Sequence, residues 1–149
     1  MAKKIIIGRS DIADFPELDL FNVKVKVDTG AYTSSIHCSR IEEIQHNGAP
    51  AIRVWWYDEP GMESKGHLFT EFRQKSIVSS TGNAELRYLI RSVIRLFDKE
   101  YPLELSLARR SERRFPILLG RKLLKGKFIV DPSKYNLSRQ QKKTELEIK

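Results

Sequence analysis

The chain is poor in the residues that several common functions need. It has a single cysteine, Cys38, so an intrachain disulfide is excluded, and one cysteine fits a reducing compartment. Its three histidines are His37, His46 and His67. No His-Glu-x-x-His occurs, and one cysteine cannot make Cys-x-x-Cys. His37 and Cys38 are adjacent, so on a strand they face opposite sides. The sequence therefore predicts no metal site and no cofactor. Long apolar runs are also missing. Ile5 to Ile7, between Lys4 and Gly8, is too short for a secretory core or a membrane span. The expectation is a cytoplasmic protein with no membrane contact.

What is present is 149 residues, enough for one domain with a real core. The net charge of +8 is unevenly spread. Residues 1–108 are nearly neutral, whereas 109–127 carry eight basic side chains and one acidic. A local cationic segment points to an acidic partner.

Val23, Val25 and Val27 alternate with Lys24 and Lys26, a half-buried strand by its period of two. The strand runs into Asp28-Thr29-Gly30, where glycine suits a tight turn. A carboxylate is thus delivered to the end of a stiff element, as general acid–base chemistry requires. Small hydroxyls follow in Ala31-Tyr32-Thr33-Ser34-Ser35.

Further strands are predicted at Lys3–Gly8, Ile52–Trp56, Leu68–Val78 with a break near Gln74-Lys75, Leu103–Leu107, Ile117–Leu119 and Phe128–Val130. Arg9–Leu20 is polar and reads as a loop, and Ser34–Ile44 allows a helical turn. Leu86–Phe97 fits both periods, with strand favoured modestly by its β-branched residues. Arg121–Lys125 suits a short helix ending at Gly126. Many short strands between Gly, Pro and Asn turns indicate an all-β barrel or sandwich. The polar residues 134–149 read as a flexible tail, dispensable for folding, after a domain of residues 1–133.

Several motifs occur together: Gly8-Arg9, Phe15-Pro16-Glu17-Leu18, Asp28 through His37, Ser79-Ser80-Thr81-Gly82, Glu85-Leu86-Arg87, Arg110-Ser111-Glu112, Phe115 through Arg121, and Val130-Asp131-Pro132-Ser133. In this combination the chain resembles the bacterial retropepsin-like aspartic peptidases of the RimB type, once labelled "ATP-dependent zinc protease" and associated with RimK-type glutamate ligases. The resemblance implies a closed acid-protease barrel with one short helix after the apolar-apolar-Gly strand. It implies Asp28, Thr29 and Gly30 as the catalytic triplet, with Thr29 tying two loops together. Ala31, Tyr32, Thr33, Ser34, His37, Arg9, Arg87, Arg110 and Arg121 become candidates for substrate binding. The implied substrate is an acidic peptide or glutamylated protein.

An aspartic peptidase needs two carboxylates around one water. This chain has one Asp-Thr-Gly and no second copy or Asp-Ser-Gly. A homodimer is therefore expected, with Asp28 supplied twice. Two rival readings stand beside this one. The first is a basic β-barrel binding single-stranded nucleic acid through Trp55, Trp56 and Tyr57. The second is a non-catalytic peptide-binding adaptor on the same fold.

Overall fold

The computed structural model describes residues 3–59, 62–78, 81–109 and 115–148. The chain is mostly β. Among the described residues, twelve strands run in order: β1 (Ile5–Ile7), β2 (Ser10–Phe15), β3 (Leu20–Val27), β4 (Ser34–His46), β5 (Ala49–Glu59), β6 (Met62–Glu63), β7 (His67–Phe69), β8 (Arg73–Val78), β9 (Ala84–Leu96), β10 (Lys99–Arg109), β11 (Ile117–Leu119) and β12 (Phe128–Val130). The described residues also hold a 3-10 turn at Pro16–Leu18 and two α-helices, α1 (Arg121–Leu124) and α2 (Leu137–Ile148), before and after β12.

The main sheet follows β10-β9-β2-β3-β11-β4-β5-β6, and a further β10–β4 pairing joins β4 back to its start. Strands β4, β10, β9, β2, β3 and β11 therefore form a ring. Inside it sit Phe15, Val25, Ile36, Ile90, Ile94, Leu105, Ile117 and Leu119, all buried. The valine–lysine alternation of β3 has the expected consequence: Val25 and Val27 are buried while Lys24 and Lys26 are exposed.

The ambiguous segment 86–97 is strand. β9 pairs antiparallel with both β8 and β10, so its backbone groups are satisfied across the sheet rather than within a helix. The long β4 leaves no helical turn at Ser34–Ile44. The break between β7 and β8 falls at Thr70–Phe72, ahead of Gln74-Lys75.

Two expectations are corrected. Arg9–Leu20 is not a loop, because Ser10–Phe15 forms β2 beside β3, with Asp11, Ala13 and Phe15 turned inward. An inward aspartate hides the strand pattern from hydropathy. Its carboxylate is accommodated by accepting N–H groups from Ile12 (2.8 Å), Ser138 (2.9 Å) and Arg139 (3.2 Å). Two of those donors belong to the second correction. The stretch read as a flexible tail is helical from Leu137 to Ile148. Asp11 binds the otherwise unpaired N–H groups of its first turn, and buried Ser138 Oγ accepts the Phe97 N–H at 2.8 Å. The chain thus has a second helix besides the one anticipated after the apolar-apolar-Gly strand.

Candidate active site

Asp28 stands immediately after β3, and its loop is held from several sides. β11 lies between β3 and β4, parallel to the first and antiparallel to the second. The Asp28 N–H donates to Leu119 O at 2.9 Å, so the apolar-apolar-Gly strand continues the ladder past the end of β3. Within the loop, Asp28 Oδ1 accepts the Gly30 N–H at 3.1 Å, and the Ala31 N–H reaches Asp28 O at 3.2 Å.

The chain from Gly120 into α1 closes the other side. Buried Ser34 Oγ accepts the Gly120 N–H at 3.0 Å. The Arg121 and Lys122 N–H groups donate to Ala31 O and Tyr32 O at 2.8 and 2.9 Å. The Arg121 side chain reaches Thr29 O at 2.9 Å, with its guanidinium 5.8 Å from the Tyr32 ring centre. Gly120 is required by space: a Cβ there would lie 2.6 Å from Tyr32 O and 2.8 Å from Thr33 C. The result is a partly exposed carboxylate on a loop fastened by backbone contacts. Such a group can accept a proton or share one with a second acid.

The candidate residues therefore divide. Asp28, Thr29, Gly30, Ala31, Tyr32, Thr33, Ser34 and Arg121 form one cluster. Its Arg121, Thr29 and Ser34 contacts hold the loop in shape, and Tyr32 is exposed. His37 is buried in β4, its N–H bonded to Pro116 O at 2.8 Å, on the route into β11. Cys38 is a core residue. Its thiol lies 3.6 Å from Ala108 O, and burial pushes its pKa up to about 12.

Arg9 adjoins the end of β3, its carbonyl accepting the Val27 N–H at 2.9 Å. Its N–H meets Lys134 O at 2.8 Å, and its guanidinium lies 4.7 Å from the Tyr135 ring centre and 3.5 Å from Pro132 O. Arg87 is on β9, paired with Glu85 at 3.3 Å. Arg110, Ser79 and Ser80 lie outside the described residues.

The aromatic triplet is split by the pleat of β5. Trp56 is buried, whereas the Trp55 ring is covered by Arg40 at 3.8 Å. Three adjacent aromatics do not make a stacking platform here. His67 packs against Trp56, with ring centres 5.4 Å apart. Among the described residues no group of three or more His, Cys, Asp or Glu converges, and no helix is long and apolar enough to cross a membrane.

Sequence reasoning passed over Glu104. It accepts from Arg73 Nε and Nη2 at 2.7 Å each and from Lys122 Nζ at 3.2 Å. The Arg73 hydrogen bonds lead in holding its carboxyl at a pKa of about 2. The three positions lie far apart in the chain, so no local pattern announces them.

A family model described as retropepsin-like aspartic endopeptidase RimB matches residues 6–141. The chain belongs to the RimB-like family. Similarity to curated proteins is consistent with this membership. The chain is 34% identical over 149 residues to a probable α-L-glutamate ligase of Shewanella halifaxensis, covering 97% of this chain and 32% of that protein. Probable α-L-glutamate ligases of Shewanella pealeana and Desulfotalea psychrophila are each also 34% identical, over 87% and 89% of this chain and 29% of theirs. The RimB-like chain thus spans about a third of the length of these relatives. A crystal structure of a Legionella pneumophila protein of unknown function shares the fold, with a TM-score of 0.64 at 24% identity, covering 91% of this chain and 99% of that one.

Proposed function

We propose that this RimB-like chain is an aspartic-type peptidase acting on acidic peptide segments, glutamate tails among them, through a dyad of two Asp28 carboxylates in a homodimer. The observation that carries the reading is the Asp28 loop, clamped between β3, β11 and the start of α1. Family membership supports the hydrolase class. One carboxylate, ionised, takes a proton from water. That water attacks the peptide carbonyl, which the second, protonated carboxyl polarises. Water adds to the carbonyl carbon, the C–N bond breaks, and the released amine takes up a proton.

The second carboxylate is assigned to a second copy because three acids that could have served instead have structural work. Asp11 binds the first turn of α2, Asp14 Oδ1 accepts the Asn22 N–H, and Asp131 accepts the backbone and hydroxyl of Ser133. The ligase names of the relatives motivate a functional link to a glutamate ligase, whose glutamate-rich product would be the substrate.

The test is cleavage of a glutamate-rich peptide beside a neutral one of equal length, with Asp28→Asn as control. Cleavage that prefers the acidic peptide, weakens with salt and disappears in Asp28→Asn supports the proposal. Equal rates on both peptides remove the acidic preference, and activity surviving in Asp28→Asn removes the dyad.

A further inference from the structure

Four cations surround one carboxylate in a groove beside the loop-clamping helix. The groove, of about 640 Å³, lies between β9, β10 and α1. Arg73, Arg91, Lys122 and Lys127 line it with Glu104, and so does Ser34. Asp28 is not among its lining residues.

The cations are unequally occupied. Arg73 and Lys122 both hold Glu104, whose side chain is only 9% exposed. Arg91 stands directly across from Glu104 in the β9–β10 ladder. It is exposed and makes no ion pair among the described residues. Among the described residues, Lys127 Nζ donates to Leu123 O alone, at 3.4 Å. Glu104 is the one carboxylate lining this groove, and among the described residues neither Arg91 nor Lys127 makes an ion pair with it.

The fork that Arg73 offers Glu104 shows that this surface accepts a planar carboxylate. No aromatic side chain lines the groove, so it lacks the stacking surface that single-stranded nucleic acid uses.

We propose that this groove is a second docking site for the carboxylates of an acidic peptide, with Arg91 and Lys127 as its receptors and Glu104 fixing Arg73 and Lys122 beside them. The site rests on the acidic-substrate reading and extends it: it would hold part of a glutamate-rich chain away from the scissile bond. Lys122 links the two regions, since its backbone binds Tyr32 O while its side chain reaches into the groove.

The test uses an oligoglutamate peptide, with oligoglutamine and a short oligouridylate as comparisons, titrated into the full chain carrying Asp28→Asn so that nothing is cleaved. Replacing Arg91 and Lys127 together by alanine is expected to weaken oligoglutamate binding by about fivefold or more. It is expected to leave cleavage of a neutral peptide by the otherwise native chain unchanged. In the chain with native Arg91 and Lys127, amide shifts at Arg73, Arg91, Glu104 and Lys122 should saturate with the peptide, a readout that needs no groove substitution to fold. Unchanged affinity in the double variant, shifts confined to Asp28–Thr33, or a preference for oligouridylate would each overturn the proposal. Absence of cleavage with binding at the groove intact would sink the peptidase reading alone.

Discussion

At the scale of single residues, Gly120 and Glu104 show how differently a side chain can matter. Gly120 has an ordinary extended backbone, so its requirement is not conformational. The Tyr32 and Thr33 backbone occupies the space a methyl would need, and backbone cannot swing aside. Gly120→Ala is expected to destabilise the fold by about 1–3 kcal/mol, read by urea denaturation, and to lower peptidase activity by displacing the loop that carries Asp28. A variant as stable and active as the parent would show that the clamp yields. For Glu104 the sign follows from its lowered pKa. Its contribution to stability is present in full above its ordinary value near 4.5 and is lost as pH falls toward about 2. Its partners are half exposed, so solvent screening weakens both ion pairs. Glu104→Gln should lower the denaturant midpoint at neutral pH and change it little near pH 2, measured across the range.

Among the elements, α2 is where local reading and tertiary fact part most clearly. Leu137 to Ile148 is too polar to announce a packed helix. What anchors it is a pair of contacts with β2 and with the turn between β9 and β10. That turn uses Phe97 and Asp98 with φ of 54° and 59°, a conformation usually given to Asn or Gly. Phe97 is held there by its buried ring and by its N–H bond to Ser138 Oγ. Ser138→Ala should therefore cost about 1–2 kcal/mol by leaving that buried N–H unpaired. Ending the chain at Asn136 should cost more than about 1 kcal/mol, contrary to what the polarity of the segment alone suggests. Thermal denaturation of the two chains decides it, and a truncated chain of full stability would restore the dispensable tail. By contrast, β3, β5, β11, β12 and α1 were legible because hydrophobic period and Gly or Pro punctuation agree there. β2 was not, because its inward Asp11 breaks the apolar alternation.

For the whole molecule, the proposed dyad makes the count of carboxylates matter. With one Asp-Thr-Gly per chain, that proposal predicts a two-fold assembly in which a surface meets its own copy. Specific activity should fall on dilution below the dimer dissociation constant. Adding excess Asp28→Asn chain should poison the native protein, since mixed dimers keep one carboxylate. The pH–rate profile should be a bell governed by the pair as a unit. Sedimentation alongside the assay checks this: a monomer that still cleaves, unaffected by the mutant, would move the second acid to another place in the chain.

The sequence by itself determined the local chemistry: the strand that ends at Asp28, the hydroxyl-rich run behind it, the apolar strand with its glycine, and the excess of cations between Arg109 and Lys127. These are legible because period, turn residues and composition act over a few neighbours. Only the tertiary structure decided which distant pieces meet. It brought Gly120 beneath Tyr32, set Arg9 against Tyr135 and Arg87 against Glu85, and buried Trp56 while leaving Trp55 against Arg40. It also gathered Arg73 and Arg91 with Lys122 and Lys127 around Glu104. Ring closure and strand order set these meetings, and they depend on contacts far apart in sequence that no short-range pattern encodes.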